Sequence, residues 1–218
     1  MDDRDLRLKY AHEHGVIHRD IKAGNVVLTN SGTPRITDFG LAIIEDRSRL
    51  TAPGSLMGTV QCMAPEQLVG EDADRRTDIW AAGVLFFEML TGRNPFLRSS
   101  PKETMHAIVN DPIPAPSGLE PAVPAELDRI VDKAMSRSRS ERYQHVDDFI
   151  VDIRAVRRRL TPEQQQLTLR NPGASDATTL TMVRQTLARA ASGLGGPLGI
   201  AAVIVSFILV ALLVHMIR

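Results

Sequence analysis

Cysteine, aromatic side chains and net charge are all scarce in this 218-residue sequence. The one cysteine, Cys62, excludes an internal disulfide and fits a reducing compartment, where a small apolar filler is the ordinary role of such a thiol. Aromatic residues are 4% of the chain, which implies a core built from Leu, Ile, Val, Ala and Met. Basic and acidic residues number 26 each, and that balance removes any global electrostatic reason to expect a nucleic-acid partner. No internal repeat or long low-complexity block is present. The length accommodates about one domain plus extra segments.

What is there is concentrated in "GVIHRDIKAGNVVLTNSGTPRITDFG", Gly15 to Gly40. Val26 to Leu28 is a short apolar run, and Arg35 to Thr37 is another beyond the turn-forming "NSGTP", so the spacing predicts a β-hairpin. Its ends carry His18, Arg19, Asp20, Lys22 and Asn25 on one side and Asp38 on the other. Folding the hairpin draws two carboxylates, an amide and an ammonium together. Carboxylate and amide oxygens suit a hard cation bridging phosphates, and a lysine supplies a mobile positive charge for a phosphate oxygen. A polar loop with coincidental charges is the competing reading of "HRD" alone.

With those residues in view, the chain resembles the protein kinase family. "HRDIKAGN" is similar to the catalytic loop, "DFG" to the metal-binding turn, and "MAPE", Met63 to Glu66, to the end of the activation segment. "DIWAAGV", Asp78 to Val84, resembles the buried helix that follows, and Arg142 stands where the family's late arginine pairs with the glutamate of "APE", here Glu66. The resemblance covers roughly residues 6 to 155. It implies a mainly α, kinase-like C-terminal lobe (α+β) with a small β-hairpin, and ATP and Mg²⁺ as cofactors.

By resemblance, Asp20 orients the attacking hydroxyl or accepts its proton, and Lys22 neutralises the γ-phosphate. Asn25 and Asp38 hold Mg²⁺. Gly40 permits the backbone conformation after Phe39, and Asp78 supports the catalytic-loop backbone. His18 reads as a satisfied core histidine. Lys22 together with Gly58 and Thr59 resembles the serine/threonine branch, so protein Ser/Thr hydroxyls are the expected substrates. Arg19 beside Asp20 resembles kinases whose activation segment is ordered by phosphorylation, with Ser48, Thr51 and Ser55 as candidate acceptors. An unmodified polar loop is the alternative.

Two residues depart from the family pattern: Ala23 stands where many relatives have Pro, and Cys62 where a Tyr usually precedes "MAPE". The second bears on substrate preference or local packing. The family's glycine-rich loop, strand lysine and helix glutamate have no match before "HRD". "SGLGGPLG", Ser192 to Gly199, lacks the flanking strands. The expectation is an incomplete kinase domain without the smaller lobe, one that binds ATP weakly by itself and draws on a separate lobe or kinase partner.

"TDIWAAGVLFFEMLTG", Thr77 to Gly92, reads as a buried core helix capped at Thr77 and stopped by Gly92. "PKETMHAIVN", "PAELDRIVDKAMS" and "VDDFIVDIRAVRRRL" read as surface helices, with the proline-rich connection "DPIPAPSGLEPAVP" among them. Arg157 to Arg159 mark either an anionic lipid contact or a solvated face. The divisions expected are a lobe over 1–160, a flexible juxtamembrane linker over 161–197, and one transmembrane helix over 198–217.

That last run, Leu198 to Ile217, carries no Asp, Glu, Lys or Arg. At helical rise it spans about 30 Å, the thickness of a bilayer's hydrocarbon core. Its Leu, Ile, Val and Phe residues favour insertion by about 4 to 8 kcal/mol. Arg184 and Arg189 before it, against Arg218 after it, place the lobe in the cytoplasm. The layout resembles bacterial membrane-anchored serine/threonine kinases. Three readings stand open: an N-terminally truncated, membrane-anchored Ser/Thr kinase, a catalytically inactive kinase-lobe scaffold or pseudokinase tethering partners at the membrane, and a degenerate remnant.

Overall fold

A computed structural model describes residues 8–28, 34–39 and 60–159. In chain order these form α1 (Leu8–Glu13), a 3-10 turn (Ala23–Asn25), β1 (Val26–Leu28), β2 (Pro34–Ile36), α2 (Pro65–Leu68), α3 (Arg75–Thr91), α4 (Pro101–Asn110), α5 (Pro116–Leu119), α6 (Glu126–Ala134) and α7 (Val146–Arg159). The described part is mostly helical, with one two-stranded sheet, as the hairpin and helix patterns predict. The linker over 161–197, the apolar run over 198–217, Gly40, Thr59, Ser48, Thr51 and Ser55 lie outside the described residues. Among the described residues no helix is long and apolar enough to cross a membrane.

The hairpin is antiparallel, with Val26 opposite Ile36, Val27 opposite Arg35 and Leu28 opposite Pro34. Alternation puts Ile36 into the core at 2% exposure while Val27 faces out at 49%. The second strand begins one residue earlier than the apolar run suggests, because a proline is tolerated as the first residue of a strand.

The axis of the fold is α3, buried continuously from Thr77 to Glu88. It starts two residues before the expected cap. Asp74 Oδ1 accepts the Arg76 N–H at 2.7 Å, and Thr77 Oγ1 accepts the Asp74 N–H at 3.2 Å. Thr77 therefore sits inside the first turn, returning a bond to the true cap. The helix stops at Gly92, whose φ of 68° no β-branched residue adopts cheaply and whose N–H donates to the Glu88 carbonyl at 2.8 Å. α6 and α5 pack on α3, α7 packs on α6, and α1 on α7. A Cβ at Gly83 would lie 2.9 Å from Met135 Cγ and 3.0 Å from Ala134 Cβ, so the absent side chain sets how closely α3 approaches the end of α6.

The core corrects the expectation from composition. Few aromatics are present, yet Trp80, Phe86, Phe87, Phe96, Tyr143 and Phe149 are among its largest fully buried side chains. Trp80 stacks on Phe96 with centroids 5.7 Å apart, and Phe86 meets Phe149 edge-on at 5.8 Å. A small number of rings placed on and around one helix dominate its packing. α4 and α7 match their helical spacing, while α6 occupies only the middle of its segment. Two single-turn helices, α2 and α5, arise where Pro65 and Pro116 supply a preformed first-turn φ, the second inside the proline-rich connection. Arg157 to Arg159 form an exposed last turn of α7, complementing the negative end of the helix dipole.

Candidate active site

Asp78, in the first turn of α3 and fully buried, is the anchor of the site. Its Oδ2 accepts the His18 N–H at 2.8 Å and its Oδ1 accepts the Arg19 N–H at 2.7 Å. The same Oδ2 lies 2.8 Å from His12 Nε2, which donates, since a carboxylate offers only acceptors. Arg19 has φ 69°, a left-handed conformation that a residue with a Cβ adopts at a cost of about 1 to 2 kcal/mol. Both of its peptide groups are clamped: Asp78 takes its N–H, and Gln67 Nε2 donates to its carbonyl at 3.0 Å. The strained residue sits immediately before Asp20.

His18 is satisfied on both ring nitrogens. Nδ1 accepts the Asp20 N–H at 3.2 Å, and Nε2 donates to the Thr37 carbonyl at 2.9 Å, which joins the catalytic-loop segment to the strand side of the hairpin. Phe39 packs edge-on against its ring with centroids 4.6 Å apart. This is the core histidine that the sequence suggests.

Asp20, Lys22 and Asn25 converge. Lys22 Nζ donates to Asp20 Oδ2 at 2.7 Å, and Asn25 Nδ2 donates to the Asp20 carbonyl at 2.7 Å and to Oδ2 at 3.1 Å. With its amide nitrogen engaged on Asp20, Asn25 is left its amide oxygen as the group that could serve a cation. Asp38 follows Thr37, which ties the end of the second strand to Asn25. The Thr37 N–H donates to the Asn25 carbonyl at 2.8 Å, and Thr37 Oγ1 lies 3.3 Å from both that carbonyl and Asp38 Oδ2. Asp38 is exposed and has φ 65°. The oxygens of Asn25 and Asp38 are the hard donors that Mg²⁺ prefers, and they fit an ion that keeps water and phosphate oxygens in its remaining positions. Among the described residues there is no group of three or more His, Cys, Asp or Glu able to hold a metal by protein ligands alone.

Beneath this layer, Glu66 and Arg142 form a buried two-pronged pair. Arg142 Nη1 and Nη2 donate to Oε1 and Oε2 at 2.8 and 3.1 Å. Burial by itself pushes the Glu66 carboxyl up, but hydrogen bonds and charge from Arg142, with a hydrogen bond from Thr77, outweigh it and hold the group below its ordinary value. Gln67, next in α2, bridges from this anchor to the Arg19 carbonyl. Cys62 is buried at 5% exposure. Burial, then the charges of Glu88 and Asp20, push its thiol well up, with Lys22 opposing. The thiol stays protonated and unreactive at neutral pH, consistent with a filler.

A family model described as "Protein kinase domain" matches residues 6–164. The chain belongs to the protein kinase family. It is 39% identical over 150 residues to a probable serine/threonine-protein kinase of Streptomyces coelicolor, which covers 68% of this chain and 22% of that relative. It is 40% identical over 148 residues to the probable serine/threonine-protein kinase PknB of Bifidobacterium longum, covering 67% and 21%. The serine/threonine-protein kinase PknB of Mycobacterium tuberculosis is 32% identical over 193 residues, covering 87% and 29%. The chain thus spans between 21% and 29% of the length of these relatives. The family is that of the serine/threonine protein kinases, which are phosphotransferases.

His12 and Gln67 escape the reading of the kinase motifs. His12 lies in "YAHEHG" on α1, outside any catalytic string, and its contact with Asp78 spans 66 residues. Gln67 directly follows "MAPE", but nothing in its identity announces a bond to a backbone carbonyl 48 residues away.

Proposed function

We propose that this chain supplies the larger-lobe half of a serine/threonine protein kinase site, transferring the γ-phosphate of ATP to protein Ser/Thr hydroxyls. The observation that carries it is the hydrogen-bonded set Asp20, Lys22 and Asn25, with Asp38 across the hairpin. Asp20 takes or orients the acceptor hydroxyl's proton, Lys22 offsets charge developing on the phosphoryl oxygens, and Asn25 and Asp38 hold Mg²⁺. Held there, Mg²⁺ would supply positive charge that offsets the negative charge of the phosphates. Asp78, His18, Glu66 and Arg142 keep the loop in place, with Gly40 and Thr59 supporting it by family resemblance.

Efficient transfer in this family uses a glycine-rich loop, a strand lysine and a helix glutamate as well, and we propose that the site described here works together with such groups. The alternative reading is a lobe that tethers substrates or kinase partners without transferring phosphate.

Location at a membrane is part of the proposal. Support comes from the uncharged run Leu198 to Ile217, which reads as a single span, with residues 161–197 as its linker and the lobe on the cytoplasmic side of a bacterial plasma membrane. Phosphorylation of Ser48, Thr51 or Ser55 is proposed to engage Arg19, whose Nε is buried with no hydrogen-bond partner among the described residues.

The test is Mg²⁺-dependent transfer of labelled phosphate from ATP to Ser, Thr and Tyr peptides by the full chain in detergent, against Asp38→Ala. Transfer to Ser or Thr that disappears in the variant supports the enzyme. A folded chain that transfers nothing, yet captures kinase or substrate partners, supports the tether. Resistance to alkaline extraction from membranes tests the span separately.

A further inference from the structure

The His12 ring makes one hydrogen bond among the described residues, to Asp78 Oδ2 at 2.8 Å. Both side chains are shielded, at 6% and 0% exposure. The other ring nitrogen, Nδ1, is buried with no hydrogen-bond partner among the described residues. A buried histidine kept for packing alone is a poor choice there, because an unpaired buried nitrogen costs about 1 to 3 kcal/mol that an apolar side chain of similar size avoids. What the imidazole adds is its bond to Asp78.

Among the described residues, the other hydrogen bonds of the Asp78 carboxylate go to the backbone that carries the site, the N–H groups of His18 and Arg19. Oδ2 is shared between His12 and the His18 N–H, while Oδ1 holds Arg19 in its left-handed conformation. With the His12 donor gone, the carboxylate loses one of the three bonds that set its rotation. The Arg19 peptide, directly before Asp20, is the group that would then relax.

We propose that His12 is a positioning residue for phosphoryl transfer, acting through Asp78 on the backbone of His18 and Arg19 and thereby on the aim of Asp20. The proposal rests on the kinase reading of the site.

The experiment compares the full chain in detergent with His12→Leu, which removes the donor and the orphaned nitrogen together, and with His12→Gln, whose amide has the reach to donate to Asp78. Transfer kinetics and amide exchange of His18, Arg19 and the α3 backbone are measured for each. The expected result is roughly a tenfold fall in kcat for His12→Leu at unchanged KM for ATP and peptide, as loss of one hydrogen bond's worth of placement predicts. Exchange should quicken at His18 and Arg19 but not in α3, and His12→Gln should recover most of both effects.

Unchanged kcat, unchanged exchange at His18 and Arg19, or quickening spread equally through α3 would each overturn the proposal, the last by making His12 merely structural. If the unsubstituted chain transfers no phosphate, the kinase reading of this chain fails on that arm and the exchange arm alone decides the role of His12. Should leucine prevent folding, His12→Asn, too short to reach Asp78, takes its place with the same outcomes.

Discussion

Glu66 and Arg142 lie 76 residues apart and meet as a buried, two-pronged ion pair at 2.8 and 3.1 Å. The guanidinium also donates to the Arg76 carbonyl at 2.8 Å and from Nε to the Ser136 carbonyl at 2.9 Å, and it lies over the Trp80 ring. One side chain therefore ties α2, the start of α3 and the loop between α6 and α7 into one unit. Arg142→Met strands the Glu66 carboxylate, and the expected loss is about 3 to 5 kcal/mol in denaturant unfolding. Adding Glu66→Gln recovers part of that loss, so the two changes fall short of additive. Because the Glu66 carboxyl is held below its ordinary 4.5 when folded, the pair's stability is present above that value and is lost as pH falls through the folded one. Unfolding followed below pH 4.5 should show this acid dependence in the unsubstituted chain and a weaker one in Arg142→Met.

Glu88 titrates in the opposite sense. Burial pushes its carboxyl up from 4.5 to about 7, against a hydrogen bond from Asn94. A raised carboxyl binds its proton more tightly folded than unfolded, so this contribution is complete below pH 4.5 and is lost as pH rises to about 7. By linkage the loss is about 3 kcal/mol. Glu88→Gln, which keeps an acceptor for Asn94, should gain on the unsubstituted chain between pH 5 and pH 8. Thermal unfolding at both pH values checks it.

Lys22 and Asp20 form a pair whose side chains are about a quarter exposed, at 24% and 23%. Solvent screening leaves such a pair a stabilisation of under about 1 kcal/mol. Lys22→Ala should therefore leave unfolding nearly unchanged while lowering kcat by about 100-fold or more, as expected for a group acting on transition-state charge. Steady-state kinetics beside a melting curve separate the two effects.

Gly83 tests the fold without touching the site. A methyl group there must displace Met135 and Ala134, so Gly83→Ala should cost about 1 to 3 kcal/mol despite alanine's better helix propensity. The same change at a solvated helix position stabilises. Denaturant midpoints read the sign.

The site motifs were legible because their spacing is local. Asn25 and Asp38 are joined by a hairpin whose two strands and turn residues are contiguous, so period-two alternation and "NSGTP" suffice to bring the ends together. The start of α3 differs from the pattern's expectation because Asp74 and Thr77 are both good capping residues, and only the geometry shows which one lies outside the first turn. The aromatic core was hidden because composition reports how many rings there are, not that they surround one helix.

Taken alone, the sequence determined the family, the order of its motifs and which residues bear carboxylate, amide and ammonium groups near the hairpin, since each follows from neighbours within a few residues. Tertiary structure alone decided which buried polar groups sustain that site. Asp78 receives His12 from 66 residues away, Gln67 reaches Arg19 across 48, and Arg142 reaches Glu66 across 76. Such partners carry no local period or cap. A buried donor or acceptor must find its complement wherever packing brings one within about 3 Å, and only the folded chain shows where that is.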